Sequence, residues 1–267
     1  MPHQRKHMPN TLFIGKVYLR FDELPSTNDY AAELLAAGHD LYTKSKPAEG
    51  TVIRADRQSA GRGQFGSRWE SEAGKNLTFS VILYPTWLEV GAQFYLSMAV
   101  ALGVHDALIE ICQNRPAVRI KWPNDLYLGS RKTGGILIQN TLTGNGIQSS
   151  IVGIGLNINQ LQFGADLPNA VSLAAATGRE HDPEKVLYLV LECLERRYLQ
   201  LKAGQTTALH TAYESLLERL GTEADFVETA TGMAFKGTIL GVTAAGLLRV
   251  MIGSEERTFG IKEIRFL

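Results

Sequence analysis

Residues 51–83, TVIRADRQSAGRGQFGSRWESEAGKNLTFSVIL, set the pattern of the fold. TVIRA (51–55) alternates and is β-branched, NLTFSVIL (76–83) reads as a second strand, and the stretch between them is polar and glycine-rich. Two strands therefore flank a cationic loop. Upstream, VYLRF reads as a strand and STNDYAAELLAAG as a helix ending at Gly38, with Ser26 and Asp29 as a variant capping box. Downstream, apolar residues recur at helical spacing from Gly91 to Ile111, and VRIKW is a strand entering another polar turn. GGILIQN and SSIVGIGLNIN are strands joined by the turn TGNG. Residues 184–201 and 206–220 read as amphipathic helices that end at Gly221. Beyond it, FKGTILGVT, GLLRVMI and ERTFGI stand at hairpin spacing and predict a small β-barrel of roughly 45 residues. The expected class is α+β: a tail and lead-in over 1–16, a mixed sheet packed with helices over 17–221, and a barrel over 222–267.

The 267 residues carry 27 Lys plus Arg against 27 Asp plus Glu, so no global field favours DNA or an anionic membrane. No apolar run reaches the roughly 18 to 20 residues of a bilayer span, and MPHQRKHMPN lacks the apolar stretch of a signal peptide. A cytoplasmic protein is expected. Cys112 and Cys193 stand alone in helix-like apolar segments without zinc spacing, which predicts two core residues.

Three polar stretches have the composition of a site. In DRQSAGRGQFGSRW (56–69), Gly61, Gly63 and Gly66 let backbone N–H groups close on an anion. Arg57, Arg62 and Arg68 supply charge-assisted bonds there, and Trp69 can stack on a flat base. The loop is neither a Walker loop nor a dinucleotide-binding turn, and a basic surface loop is the competing reading. KWPND (121–125) sets Lys121, Asn124 and Asp125 around a proline, where a carboxylate could orient an amine or bind magnesium; an ordinary β-turn is the alternative. Lys132 precedes two glycines that would let a ligand approach the strand backbone, unless it is simply a solvated lysine. GIGLNIN (153–159) puts Asn157 and Asn159 on one strand face and Leu156 and Ile158 on the other, and an amide inside a strand implies a hydrogen-bonding duty.

In this order, STN, GRGQFGSRW, KWPND, RKTGGIL and GIGLNIN resemble the biotin–protein ligases, from about Val17 to the C-terminus. The resemblance implies a catalytic domain like that of class II aminoacyl-tRNA synthetases and an SH3-like terminal barrel. It also implies an enzyme that activates biotin with ATP and magnesium as biotinyl-AMP and transfers it to a lysine of a biotin carboxyl carrier protein domain. By motif, Ser26, Thr27, Asn28 and Gln58 match biotin-contacting positions. Arg62, Gly63 and Gln64 match a flap over biotinyl-AMP, with Arg62 facing the biotin carboxylate and phosphate. Gly61, Arg68, Trp69, Lys121, Asn124 and Asn157 fall on the nucleotide side. Lys132 matches the lysine that reaches the carboxylate and α-phosphate, and Asp125 the residue that receives the carrier lysine, so Lys132, Arg62 and Asp125 are the expected catalytic set. No metal ligand from the protein is assigned; magnesium is expected with ATP. The sequence departs from the pattern at Gln64, where many relatives have a second arginine.

Bifunctional relatives carry an N-terminal helix-turn-helix domain, whereas 25 residues precede Ser26 here, so no repressor function is expected. The enzyme rival is a lipoate–protein ligase, which shares the adenylate chemistry; lipoate lacks the ureido ring that polar groups at Ser26, Thr27 and Gln58 would suit. A homodimer is compatible with the sequence and not fixed by it.

Overall fold

The computed structural model describes residues 9–37, 46–113 and 115–267. The chain runs β1 (Tyr18–Leu24), α1 (Thr27–Ala37), β2 (Val52–Gln58), β3 (Leu77–Leu83), α2 (Phe94–Cys112), β4 (Val118–Lys121), β5 (Asp125–Leu128), β6 (Arg131–Thr143) and β7 (Gly146–Leu156). Three helices follow, α3 (Leu173–Thr177), α4 (Pro183–Lys202) and α5 (Thr206–Ser215). The last part is β8 (Glu223–Glu228), β9 (Ala234–Val242), β10 (Leu248–Ile252), β11 (Glu255–Phe259) and β12 (Ile264–Phe266).

Strand alternation sorts the side chains of the first sheet, whose seven strands run β1-β2-β3-β7-β6-β5-β4. Only β1 and β2 pair in parallel. Leu77, Phe79 and Val81 of β3 and Val152 and Ile154 of β7 point into the core shared with α2 and α4. Ile82 and Ile151 point the other way, onto Ala31 and Leu34 of α1. Helices thus cover both faces, and the α1 face is the one left partly open.

The expected mixed sheet with helices is present, with local corrections. The expected helix end at Gly38 lies outside the described residues. Ser26 caps α1 by accepting the Asp29 N–H at 3.3 Å, but the Asp29 carboxylate pairs with Arg62 and does not complete the capping box. The helix foreseen to Gly221 stops at Ser215. Beyond it, Leu216 O accepts the Ile120 N–H at 2.9 Å and the Glu218 N–H donates to Ile120 O at 2.8 Å, so the chain leaves the helix to satisfy the exposed edge of β4. Strand β5 and helix α3 were not read from the sequence because both are short. Val90–Cys112 corrects the statement about apolar runs: its 23 residues are long and apolar enough to cross a membrane by length and composition. Two charges, Asp106 and Glu110, interrupt the run, and 67% of its apolar window is buried in the fold, as in a core helix. Cys112 and Cys193 are buried and free, as expected.

The C-terminal strands form an antiparallel sheet of order β11-β10-β9-β8-β12, consistent with an SH3-like module. It is bonded to the first part. The Trp122 indole N–H donates to Gly246 O at 2.9 Å, and the Val242 N–H donates to Glu214 Oε1 at 2.8 Å. Pro123 O, next to Trp122, accepts the hydroxyl of the buried Tyr213 at 2.8 Å.

Candidate active site

Register brings the smallest residues of four strands together on the α1 face. Ala55 pairs with Thr78, Thr78 with Gly155 and Gly155 with Gly135; in the next row Ser80 pairs with Gly153 and Gly153 with Leu137. Residues paired across strands share a face, so these rows make a trench in the sheet. Asn28 and Trp69 lie in it: a Cβ on Gly153 would stand 2.9 Å from Asn28 Cγ, and one on Gly155 would stand 2.7 Å from Trp69 Cζ2. The resulting cavity is about 280 Å³.

One end of the trench is polar and neutral. Gln58 Oε1 accepts the Thr27 N–H at 2.7 Å and lies 3.2 Å from its hydroxyl. The Thr27 and Ser80 hydroxyls are 2.7 Å apart, the Ser80 hydroxyl donates to Asn28 Oδ1 at 2.6 Å, and Asn28 Nδ2 donates to Gln139 Oε1 at 2.8 Å. This relay ties the first turn of α1 to β2, β3 and β6. Both ends of the Asn28 amide are thereby engaged by protein, which makes Asn28 a brace within the expected biotin-contacting segment. The start of α1 also directs the positive end of its dipole here.

The other groups are charged. The glycine-arginine loop is a tight hairpin: the Trp69 N–H donates to Gly61 O at 3.0 Å and the Gly63 N–H to Ser67 O at 2.7 Å, around a 3-10 turn at Gln64–Gly66. Gly61 allows this approach, since a Cβ there would collide with the Trp69 carbonyl. Arg62 Nη1 pairs with Asp29 Oδ1 at 2.6 Å. Lys132 Nζ pairs with Asp125 Oδ1 at 2.7 Å. An irregularity in the β5–β6 pairing turns Lys132 toward Asp125: Leu126 pairs with Gly134 and Tyr127 with Lys132, leaving Thr133 extra. The Lys132 backbone is fixed by Asn169 O, 2.7 Å from its N–H, and by the Val171 N–H, 2.8 Å from its carbonyl. Both ion pairs are partly exposed, so each is worth about 0–1 kcal/mol and an arriving anion can displace its carboxylate at little cost. The Trp69 indole N–H is buried without a hydrogen-bond partner among the described residues, a donor available to a ligand.

Of the expected residues, Ser26, Thr27, Asn28, Gln58, Arg62, Gly63, Gln64, Arg68, Trp69, Asn124, Asp125 and Lys132 line the cavity. Asn124 also holds the site together, since its Nδ2 donates to Ile136 O and its carbonyl accepts the Ile136 N–H. Gly61, Lys121 and Asn157 do not line it. Lys121 Nζ sits 4.9 Å from the Phe266 ring centroid, and burial pushes its ammonium pKa down. Asn157 lies past the end of β7, buried, with Nδ2 donating to Val171 O at 3.3 Å. Asn159 clasps the His181 backbone at 2.7 and 2.9 Å, so both asparagines do the expected hydrogen bonding, but outside the strand and to the protein's own backbone.

Sequence reasoning missed Ser80, Gln139, Gly153, Gly155, Ile261 and Lys262. A signal existed for some of them: Thr78 and Ser80 alternate with Phe79 and Val81, and Gly153 and Gly155 alternate with Ile154, which marks one small or polar face per strand. Nothing local marks Ile261 and Lys262, which reach the cavity from the C-terminal sheet.

Residues 23–157 match the Biotin/lipoate A/B protein ligase family. A bifunctional ligase/repressor BirA of Bacillus subtilis is 33% identical over 260 residues, 95% of this chain and 74% of that protein. A biotin–[acetyl-CoA-carboxylase] ligase of Paracoccus denitrificans is 34% identical over 200 residues, 73% of this chain and 82% of that protein. Among solved structures, a biotin protein ligase from Aquifex aeolicus in complex with biotin and ATP superposes with a TM-score of 0.77 at 27% identity, covering 94% of this chain and 100% of that one. With a matching span of half its length, and relatives this similar over most of theirs, the chain belongs to the biotin/lipoate A/B protein ligase family.

Proposed function

We propose that this protein is a biotin–protein ligase: it condenses biotin with ATP to biotinyl-AMP and transfers the biotinyl group to a lysine of a biotin carboxyl carrier protein domain. The observation that carries the reading is the pairing in one cavity of a neutral polar end, at Ser26, Thr27 and Gln58, with two cations, Arg62 and Lys132. That suits an acid with a polar head ring and a carboxylate tail. Relatives named as biotin ligases, and a similar structure holding biotin and ATP, support it.

In the first step a biotin carboxylate oxygen attacks the α-phosphorus, the bond from that phosphorus to the β-phosphate oxygen breaks, and pyrophosphate leaves. Lys132 and Arg62 exchange Asp125 and Asp29 for the two reacting anions, which repel each other, and Lys132 stabilises charge growing on phosphorus. Trp69 covers the trench and offers its indole N–H. In the second step the carrier amine attacks the acyl carbon, AMP departs, and Asp125, released from Lys132, receives the amine proton. Magnesium would come with the nucleotide rather than be held by the protein alone. Among the described residues no cluster of three His, Cys, Asp or Glu side chains could hold a metal, and Asp125 is the carboxylate lining the cavity that would meet a phosphate-bound ion. The ion would neutralise phosphate charge.

The test is incubation with MgATP, a carrier domain and either biotin or lipoate, followed by intact mass of the carrier. A single biotinyl addition is expected. No addition, or addition of lipoate in preference, would overturn the reading.

A further inference from the structure

The polar end of the trench is a chain of hydroxyl and amide protons that runs in one direction. Asn28 Nδ2 lies 2.8 Å from Gln139 Oε1 and 3.5 Å from Leu137 O. A backbone carbonyl can only accept, so the Asn28 amide faces β6 with its nitrogen and turns Oδ1 to Ser80, whose hydroxyl donates to it at 2.6 Å. That uses the one Ser80 proton. The Thr27 and Ser80 hydroxyls are 2.7 Å apart, so the proton between them belongs to Thr27. Gln58 Oε1, the other acceptor near the Thr27 hydroxyl, is farther away at 3.2 Å and already takes the Thr27 N–H at 2.7 Å. Thr27 lines the cavity, and its hydroxyl therefore meets a ligand with lone pairs alone.

The direction of the chain is set at its far end. Gln139 does not line the cavity: it pairs with Ile151, one row of the sheet beyond Ser80, Gly153 and Leu137. Its Oε1 is the close acceptor for Asn28 Nδ2, since 3.5 Å to Leu137 O is too long for a strong bond. Without that oxygen the Asn28 amide can turn over. Ser80 then accepts from Nδ2 and donates to Thr27, and Thr27 presents its proton to the cavity. We propose that Gln139 is a positioning residue that determines specificity: through Asn28 and Ser80 it holds the Thr27 hydroxyl as an acceptor, so that the polar end selects a head ring with an N–H at that point. This rests on the functional reading above, in which the cyclic urea of biotin supplies the N–H. A ring oxygen in its place would face the Thr27 lone pairs and be rejected.

Two substitutions separate this role from a structural one. Gln139→Met removes the acceptor at similar length, and Gln139→Glu keeps an acceptor that, ionised, cannot donate. Titration calorimetry on the full chain would compare biotin with the two cyclic carbamates in which one or the other ureido N–H is replaced by oxygen. Wild-type protein should prefer biotin to the carbamate whose oxygen meets Thr27. In Gln139→Met, biotin should bind about tenfold more weakly, the worth of one well-made hydrogen bond, while that carbamate does not, so the preference shrinks by the same factor. Gln139→Glu should keep the wild-type preference. An unchanged preference in Gln139→Met would overturn the proposal, and equal weakening of all three ligands would mark the role as structural. So would a preference lost in Gln139→Glu, or wild-type protein that binds biotin and both carbamates equally. Wild-type protein that binds no biotin would instead defeat the functional reading.

Discussion

Adding one methyl group at Gly155 tests whether the trench and the indole over it act as a unit. A Cβ built there stands 2.7 Å from Trp69 Cζ2 and 2.8 Å from Cδ2. Carbon atoms pack best about 3.5–4.0 Å apart, so the ring must retreat by roughly 1 Å. The backbone at Gly155 is not in the left-handed region, so the strain of Gly155→Ala is packing strain, about 1–3 kcal/mol for an overpacked site. Reacting groups displaced by about 1 Å lose on the order of 10²-fold in rate, so pyrophosphate exchange should fall toward that extent. Trp69→Ala removes the obstacle. In that background the three atoms nearest the new methyl are gone, and Gly155→Ala should cost little. Urea unfolding of the four proteins gives the coupling energy, expected near the 1–3 kcal/mol of the clash. If the stability losses simply add, the indole does not rest on Gly155 and the account of the trench is wrong.

Three further outcomes follow from the same geometry. Lys132→Ala should lower the rate of adenylate formation by about 10²-fold or more while weakening biotin binding less, because its charge acts on the transition state; unchanged exchange at saturating substrates would remove it from the mechanism. Residues 59–68 include the exposed Arg62, Gly66, Ser67 and Arg68, so limited proteolysis should cut there in the free protein and less when biotin plus ATP is present; equal cleavage would show that ligand does not alter the loop. Gln64→Arg should slow release of biotinyl-AMP by up to roughly 30-fold, the difference between a charge-assisted and a neutral bond. Stopped-flow release of the intermediate reads this directly, and equal off-rates would show that Arg68, which lines the cavity beside Gln64, already supplies the charge.

The chemistry of the site was legible in the sequence because it depends on residue types at short spacing. The arginines and glycines of 56–69, the turn 121–125 and Lys132 announce an anion site whatever surrounds them, and the strands flanking the loop follow from alternation over a few residues. Partners across the sheet were not legible. Period-2 alternation says which side chains share a face within a strand, but the alignment of Ser80 with Gly153 is set between residues 73 positions apart, by packing on both faces of the sheet. The same holds for the ion pairs. Arg62 meets Asp29 because α1 starts beside the loop, and Lys132 meets Asp125 because one extra residue distorts the β5–β6 pairing. Asn157 shows the limit from the other direction. Its place in GIGLNIN suggested a strand face, yet the strand ends at Leu156 and the amide turns to Val171 O. Lys262 reaches the cavity only because the C-terminal sheet docks through Gly246 and Val242, a contact between distant surfaces that local propensity does not encode.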